Sequence, residues 1–557
     1  DRAFQDTCTL AGPHVQSGYF ERWKTPCDVK LSEIIQSPLW ANELMRRWLV
    51  MVGGFVMAIV ISYWIADQQM FKLAILAGIL VTAVVAVGMQ RNAWLLILLC
   101  WNLQGSTYVL PIPVSIRDMS IILATCTYVS YSIVTGRSAR EPWGLLGILV
   151  AINLAHVALT FVIHPVGVRT LGAETMGARP YFNMLLGACA YWVFTHMPES
   201  TKAVSRAPLW IVAGTSFLAV LNLIVYIFPP SARYIVPFYG GIDISGLFQS
   251  AKGTVDEPAF RRYALLGISG LTLVQVLAAY YPPRTLFNPL RMRCYLFLIG
   301  LATLFAAGFR NTMLYAFASL TLASWLHRGW REVVLWGIAG LLFFGLLVAG
   351  QGRLYELPLT AQRALAFVPG EWAEIVRDEV KESSEGRFQW WRNVISEGAI
   401  KNWWVGDGFG VSEQDFEMLA FSGHTFDWFT VTGSFHSGPL TTIRYAGIIG
   451  LVLFYSLMIA AAVYSVKCAH RCRGTPLFPL GVYLAIRLVW WPVHYTFVFG
   501  AFETDFAEML FLVGLLCLAL RMSKQYPSAT TPVTERSTAP QLTYPSSLPL
   551  RPGSLRT

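Results

Sequence analysis

Charge is what this 557-residue sequence has least of: 13% of its residues are Asp, Glu, Lys or Arg, against 55% hydrophobic, and its mean hydropathy is +0.51. Soluble domains carry about 25% charged residues, so the composition excludes a water-soluble enzyme. Internal repeats are also lacking. No matching pair of interrupted hydrophobic segments recurs in two halves, which is how many secondary transporters are built. Cysteine is scarce where a disulfide framework would need it, with nine in the chain and none between 350 and 437. Cys468, His470 and Cys472 sit together in one basic loop but have no fourth ligand nearby, which argues against a zinc site.

What is present is a series of apolar runs, each long enough to approach the roughly 20 helical residues that cross a bilayer. They lie near 48–66, 71–89, 93–104, 119–135, 143–164, 180–197, 208–228, 263–281, 293–309, 312–326, 333–349, 438–465, 476–499 and 506–520. The third is short and runs into the Pro-broken stretch 108–113, so it reads either as a span or as part of a re-entrant element. We therefore expect an all-α polytopic membrane protein of about 12 to 14 helices. Its parts are a cytoplasmic segment 1–47, a bundle of about 11 spans over 48–349, a mainly helical periplasmic loop 350–437, C-terminal spans over 438–522 and a Ser/Thr/Pro-rich disordered tail 523–557.

Positive residues in short loops fix orientation. Six alternate loops, from the one holding Arg91 to the one holding Lys467, Arg471 and Arg473, carry 13 basic residues against three acids. Both termini are then cytoplasmic. The net charge of +10 reads as a topology signal and an attraction to anionic lipid, with no need for a nucleic-acid partner.

Basic residues also fall on the outer side, where topology does not require them: Arg117, Arg169, Arg179, Arg233, Lys252, Arg261, Arg262 and Arg310. A guanidinium matches phosphate oxygens in a two-pronged way, so an Arg set at the outer leaflet suits a diphosphate, although each can also snorkel to lipid or pair locally, as Arg117 can with Asp118. Arg310 sits in a tight turn, and Arg179 opens a span just before Pro180. Arg487 lies within a span, with Glu503, Asp505 and Glu508 as candidate partners.

In the large loop, 359–384 and 386–401 have helical composition, the second with Phe388, Trp391 and Ile395 on one face. Residues 403–410, Trp-Trp-Val-Gly-Asp-Gly-Phe-Gly, read as a Gly-punctuated turn, and Trp404 suits either interfacial anchoring or a sugar face. His436 stands just before the chain re-enters lipid, where a neutral imidazole can accept a proton from a hydroxyl.

The order Gly386-Arg387, Trp390-Trp391, Trp404-Val405-Gly406-Asp407-Gly408-Phe409-Gly410, His436-Ser437 and Tyr445-Ala446-Gly447-Ile448-Ile449-Gly450-Leu451 resembles the signature region of the O-antigen ligase and polymerase superfamily. Gly177-Ala-Arg179-Pro180-Tyr181 and Gly308-Phe309-Arg310 resemble its upstream Arg elements. Ser437 stands where the family usually has Asn, and Phe309 and Asn311 flank Arg310 in place of Ser and Gly.

The resemblance implies a glycosyltransferase of the GT-C type in a bacterial inner membrane, working at the periplasmic face without metal or other cofactor. Its donor would be a glycan on undecaprenyl diphosphate and its acceptor a hydroxyl of lipid A-core or a similar molecule. It implies His436 as the catalytic group and Arg179, Arg310 and Arg387 at the donor diphosphate; Arg117, Arg261, Arg262 and Trp404 are read from their positions as further substrate contacts. Ligase and polymerase share this chemistry; the ligase-like reading is preferred, with a polymerase of lipid-linked repeat units as the alternative. A flippase or other transporter is the third reading, disfavoured by the missing repeat and the folded loop.

Overall fold

The computed structural model describes residues 92–107, 114–135, 144–165, 177–242, 264–409 and 433–526, a few positions within these ranges excepted, and scattered positions between 51 and 62. The segments 1–47 and 71–89, the stretch 410–432 and most of the tail lie outside the described residues, as do Arg169, Lys252, Arg261 and Arg262.

The described chain is helical: α1 Trp94–Cys100, α2 Ile116–Thr135, α3 Leu145–Ile163, α4 Arg179–His196, α5 Ala207–Ile227, α6 Ala264–Tyr280, α7 Met292–Ala307, α8 Arg310–Arg328, α9 Trp330–Gly350, α10 Leu359–Leu365, α11 Glu374–Ser396, α12 Gly438–Arg471, α13 Phe478–Phe497 and α14 Phe502–Ser523, with single helical turns in some links. Proline in the first turn of α4, α5, α12 and α13 starts these helices where a missing N–H costs nothing. Five of them, α3, α5, α9, α12 and α14, are long and apolar enough to cross a membrane, and the chain is membrane-embedded in character.

The third apolar run is not a full-length helix. The seven residues of α1 rise about 10 Å, and the chain continues through the irregular stretch 101–107. That stretch is paired at its far end, where the amide of Thr107 donates to Val114 (3.2 Å) and the amide of Gly240 to Ser106 (2.8 Å). Trp101 and Leu103 within it are buried. Non-helical backbone at membrane depth is tolerated only where protein covers it or where it lines a cavity.

The core lies where α4, α12, α13 and α14 meet. Of the apolar stretch of α14, 78% is buried, against 6% for α9, so α14 is the axis of the bundle and α9 its rim. Close approach along α4 and α14 depends on glycine: a Cβ on Gly187 would sit 2.9 Å from the Cα of Ala507, and one on Gly514 2.8 Å from the Cα of Tyr191. Helices in lipid associate through such close backbone packing because lipid supplies no hydrophobic drive between them.

The large loop differs from its sequence pattern in two ways. Residues 374–396 form one helix that runs straight through Gly386, where a break was expected, and the interruption falls instead near Pro369-Gly370. The face bearing Phe388 and Ile395 is exposed, at 66% and 54%. The packed face of α11 is the one with Trp390 and Val394, set against Ile400, Phe435 and Ile443.

The deepest irregularity is in α12. Gly447 has φ 69° and ψ −179°, a region essentially closed to other residues, and it breaks the helix. The helical bonds from Ile448 to Arg444 and from Ile449 to Tyr445 are replaced by bonds to the Trp-Trp-Val-Gly-Asp-Gly turn. Ile448 and Ile449 donate to the carbonyls of Trp403 (2.8 Å) and Trp404 (3.4 Å), while the carbonyls of Arg444 and Tyr445 accept from Asp407 (2.7 Å) and Gly408 (3.1 Å). Four backbone groups at the break are thus paired with the inserted turn, and the Ala446 carbonyl beside them meets the His156 ring at 2.9 Å.

Gly447→Ala is expected to lose the closed-to-Cβ backbone, at about 1–3 kcal/mol, and to drive a methyl into the Trp404 carbonyl. Gly386→Ala, in a helix with open space around it, is expected to raise stability by about 0.5–1 kcal/mol. Thermal unfolding in detergent, comparing both with wild type, checks the pair; equal behaviour of the two variants would contradict both the insertion and the continuous α11.

Candidate functional site

Asp407 fixes the inserted turn from within. Its carboxylate accepts the amides of Lys401 (3.0 Å) and Asn402 (2.8 Å) and pairs with the guanidinium of Arg444, on the first half of the broken helix. The Asn402 side chain accepts from the amides of Trp404 (3.1 Å) and Val405 (3.2 Å). Phe409, fully buried, then stacks on Tyr445 and on Phe502 of α14, while Tyr181 of α4 meets its edge. The Arg-Pro-Tyr start of α4, the glycine turn, α12 and α14 therefore converge at one end of the bundle.

His436 stands on this platform. Phe435 before it is completely buried, and its carbonyl accepts from the indole of Trp391 (3.0 Å). Gly438 after it lies so close to Tyr495 that a Cβ would overlap the Tyr495 carbonyl. Held at both sides, His436 adopts φ 51°, the one positive φ of a non-glycine among the described residues. Such an outlier persists only where its surroundings over-determine it, and these positions cluster at functional sites.

The half-buried imidazole lies between Trp390 and Phe499, with ring centroids at 5.6 and 5.3 Å. Arg387, one helical turn before Trp391 on α11, donates to the carbonyl of Val498 (3.2 Å), beside Phe499. Burial, and after it the charge of Arg387, holds the His436 pKa below the ordinary value of about 6.5. The imidazole is therefore neutral at pH 7 and able to accept a proton.

The remaining candidate arginines separate into two groups. Arg179, expected at the donor diphosphate, and Arg117, expected as a further substrate contact or as a partner of Asp118, are buried together on Asp118. Arg179 reaches one carboxylate oxygen at 2.5 Å and Arg117 the other at 3.2 Å, and Arg117 also donates to Asn183 at 3.1 Å. Arg310 is the first residue of α8, half-buried, following the left-handed Gly308. The Trp404 side chain is 67% exposed, while its backbone belongs to the inserted turn.

Comparison with protein-family models and with curated proteins finds no match to this chain. Among the described residues no group of three or more His, Cys, Asp or Glu is arranged to hold a metal ion.

A cavity of about 290 Å³ that the sequence reading did not connect with Arg487 lies between α6, α8, α13, α14 and the irregular stretch after α1. Arg487 pairs there with Glu508, one of its three expected partners, and His494, Trp491, Asp505 and Tyr315 share the lining. A signal for it was present: Arg487, Trp491 and His494 are spaced i, i+4, i+7 on one face of α13, and Asp505 and Glu508 are i, i+3 on α14. The carbonyl of His494 accepts the amides of Val498 (2.9 Å) and Phe499 (3.0 Å), so the cavity lies one helical turn from the Arg387 and His436 contacts.

Because two effects depress the His436 pKa, removing one moves it back in part. Modification of His436 by an imidazole acylating reagent, followed by mass spectrometry across pH, is expected to show a midpoint below about 6.5. In Arg387→Gln that midpoint is expected to move to higher pH, since the cation no longer opposes protonation. A shift to lower pH, or none, would remove Arg387 from the electrostatics of the site.

Proposed function

We propose that this chain is a membrane glycosyltransferase of the O-antigen ligase and polymerase type. It transfers a glycan from a polyprenyl diphosphate to an acceptor hydroxyl at the periplasmic face of a bacterial inner membrane, with the ligase-like activity preferred. The observation that carries the reading is the constrained, neutral His436, with Arg387 beside it, on a platform built from the glycine turn and the broken α12. Those are the same segments on which the family resemblance rests.

In the proposed reaction the acceptor oxygen attacks the anomeric carbon. A new carbon–oxygen bond forms as the bond from that carbon to the diphosphate oxygen breaks, and the electron pair leaves with the diphosphate. The hydroxyl proton passes to His436, whose depressed pKa keeps it in the accepting form. Negative charge grows on the departing diphosphate as the bond breaks, so cations that meet it in the transition state lower the barrier. Arg387 and Arg310 are assigned this role. Arg179, engaged with Asp118, is assigned to holding the end of α4 against α2, which in turn supports Tyr181 beneath the glycine turn.

The test is transfer in proteoliposomes supplied with an undecaprenyl-diphosphate glycan on the accessible outer face. His436→Ala is expected to lose about 10²- to 10⁴-fold in rate, the usual contribution of a positioned proton acceptor, and Arg387→Gln to lose rate with less effect on the acceptor requirement. Addition of a chelator is expected to leave transfer unchanged. Undiminished transfer by His436→Ala would sink the assignment. Offering a lipid-core acceptor and a second lipid-linked repeat unit in parallel separates ligase from polymerase.

A further inference from the structure

Where α8 turns into α9 the chain presents two unmatched positive charges. Gly329, at φ 80°, is the whole link between the helices, with Arg328 before it and Arg331 just after. Both arginines are exposed, and neither side chain has a hydrogen-bond or ion-pair partner among the described residues. They are not needed to cap α8, because Arg473 already donates to the carbonyls of Leu326 (2.7 Å) and His327 (3.4 Å). The link from α6 to α7, at the same end, adds Arg284, Arg291 and Arg293. Between 281 and 335 the sequence holds one carboxylate, Glu332, and it lies buried 3.9 Å from Arg284. The corner is therefore strongly positive.

An apolar groove of about 440 Å³ starts at this corner. Its walls include Phe317 and Trp325 of α8, Trp330 and Val333 of α9, and Ile486 and Trp490 of α13. The one hydroxyl in its lining, on Thr321, donates to the carbonyl of Phe317 (2.9 Å), so nearly all the surface presented is apolar. From Trp325 at the corner to Leu314 at the far end the groove follows α8 for roughly 16 Å, about half of a ~30 Å hydrocarbon core. A chain lying in it crosses one leaflet and stops. Trp330, 69% exposed at the mouth, is the kind of residue that sits at a water–lipid boundary.

The two features specify one kind of molecule. A guanidinium matches phosphate oxygens in a two-pronged way, and basic groups between membrane helices hold anionic head groups. A head group that carries its own cation would leave this corner uncompensated. The groove takes a hydrocarbon chain of one leaflet's depth, and one of its walls is α9, the rim helix whose apolar stretch is 6% buried. A chain seated there fills the gap between α9 and α13.

We propose that the corner and the groove form a site for one anionic glycerophospholipid, with its phosphate on Arg328 and Arg331 and an acyl chain between α8, α9 and α13. The site lies at the opposite end of α8 from Arg310, about 27 Å along the helix. It is thus separate from the proposed glycan transfer and does not rest on it.

The test is native mass spectrometry of the purified full chain, released from detergent after addition of phosphatidylglycerol or phosphatidylethanolamine at equal concentration. A bound phosphatidylglycerol is expected to be retained in preference to phosphatidylethanolamine. Arg328→Gln and Arg331→Gln are each expected to weaken it about fivefold, and the double variant further. Arg353→Gln removes the same charge beyond the other end of α9 and is expected to leave the preference unchanged. Ala318→Trp, which fills the groove, is expected to release the lipid; Thr321→Phe is the milder variant should Ala318→Trp fail to fold. Equal retention of the two lipids, undiminished binding in the double Arg variant or in a folded groove variant, or an equal loss in Arg353→Gln would overturn the proposal. Displacement of phosphatidylglycerol by undecaprenyl phosphate at equal concentration would overturn the choice of a glycerophospholipid as the occupant.

Discussion

The insertion of residues 403–408 into the break of α12 is the contact on which the rest of the site depends. Opening a helix in a low-dielectric bundle exposes two N–H groups and two carbonyls, each costly to leave unpaired. Here the same short turn supplies partners to all four, and Gly447 supplies the backbone angles that no side chain permits. The turn is then held by Asp407 through Arg444 and two amides. Phe409, Tyr445 and Phe502 stack beyond it, and α14, the buried axis of the bundle, becomes rigidly joined to the large loop.

That join explains how a loop residue acquires a fixed geometry. A histidine on a long segment between helices would ordinarily sample many conformations, and a left-handed one would relax. His436 is clamped between a fully buried phenylalanine and a glycine pressed onto Tyr495, both of which reach the helices that carry the insertion. Pre-set orientation of this kind is what a proton acceptor needs, because misplacement by an ångström weakens catalysis sharply.

Much of the fold was legible in the sequence, because lipid makes helix length and apolarity decisive. The described helices from α2 onward that coincide with apolar runs begin and end within a few residues of them. The misses have specific causes. Gly386 reads as a breaker on propensity, yet α11 continues through it, since the packed face at Trp390 and Val394 carries the helix across one unfavourable residue. Phe388, Trp391 and Ile395 share a face by periodicity, but a second apolar stripe through Trp390 and Val394 is the one that packs, and periodicity alone does not choose between the two. Arg179 was read as a donor-diphosphate ligand because its partner, Asp118, lies 61 residues away and is not visible as such in the sequence. The glycine turn and the Gly-Ile-Ile-Gly helix were visible as motifs, but nothing in one sequence could say that the first fills a gap in the second.

The same reasoning separates the two sets of polar groups in the bundle by what each can do. The Arg117, Asp118 and Arg179 cluster is closed: its carboxylate meets both guanidinium groups as well as the amide of Ser115, and the side chains are almost wholly buried. A closed cluster holds helices in register and has little capacity left for a ligand. The set around Arg487 is open, because it borders a cavity and backbone that is not helical. Closed networks give a membrane protein its shape, and the open network at Arg487 leaves polar groups facing the cavity. The arrangement divides labour along the bundle axis: rigidity comes from the α2 and α4 side, while the α8, α13 and α14 side retains unfilled polar space.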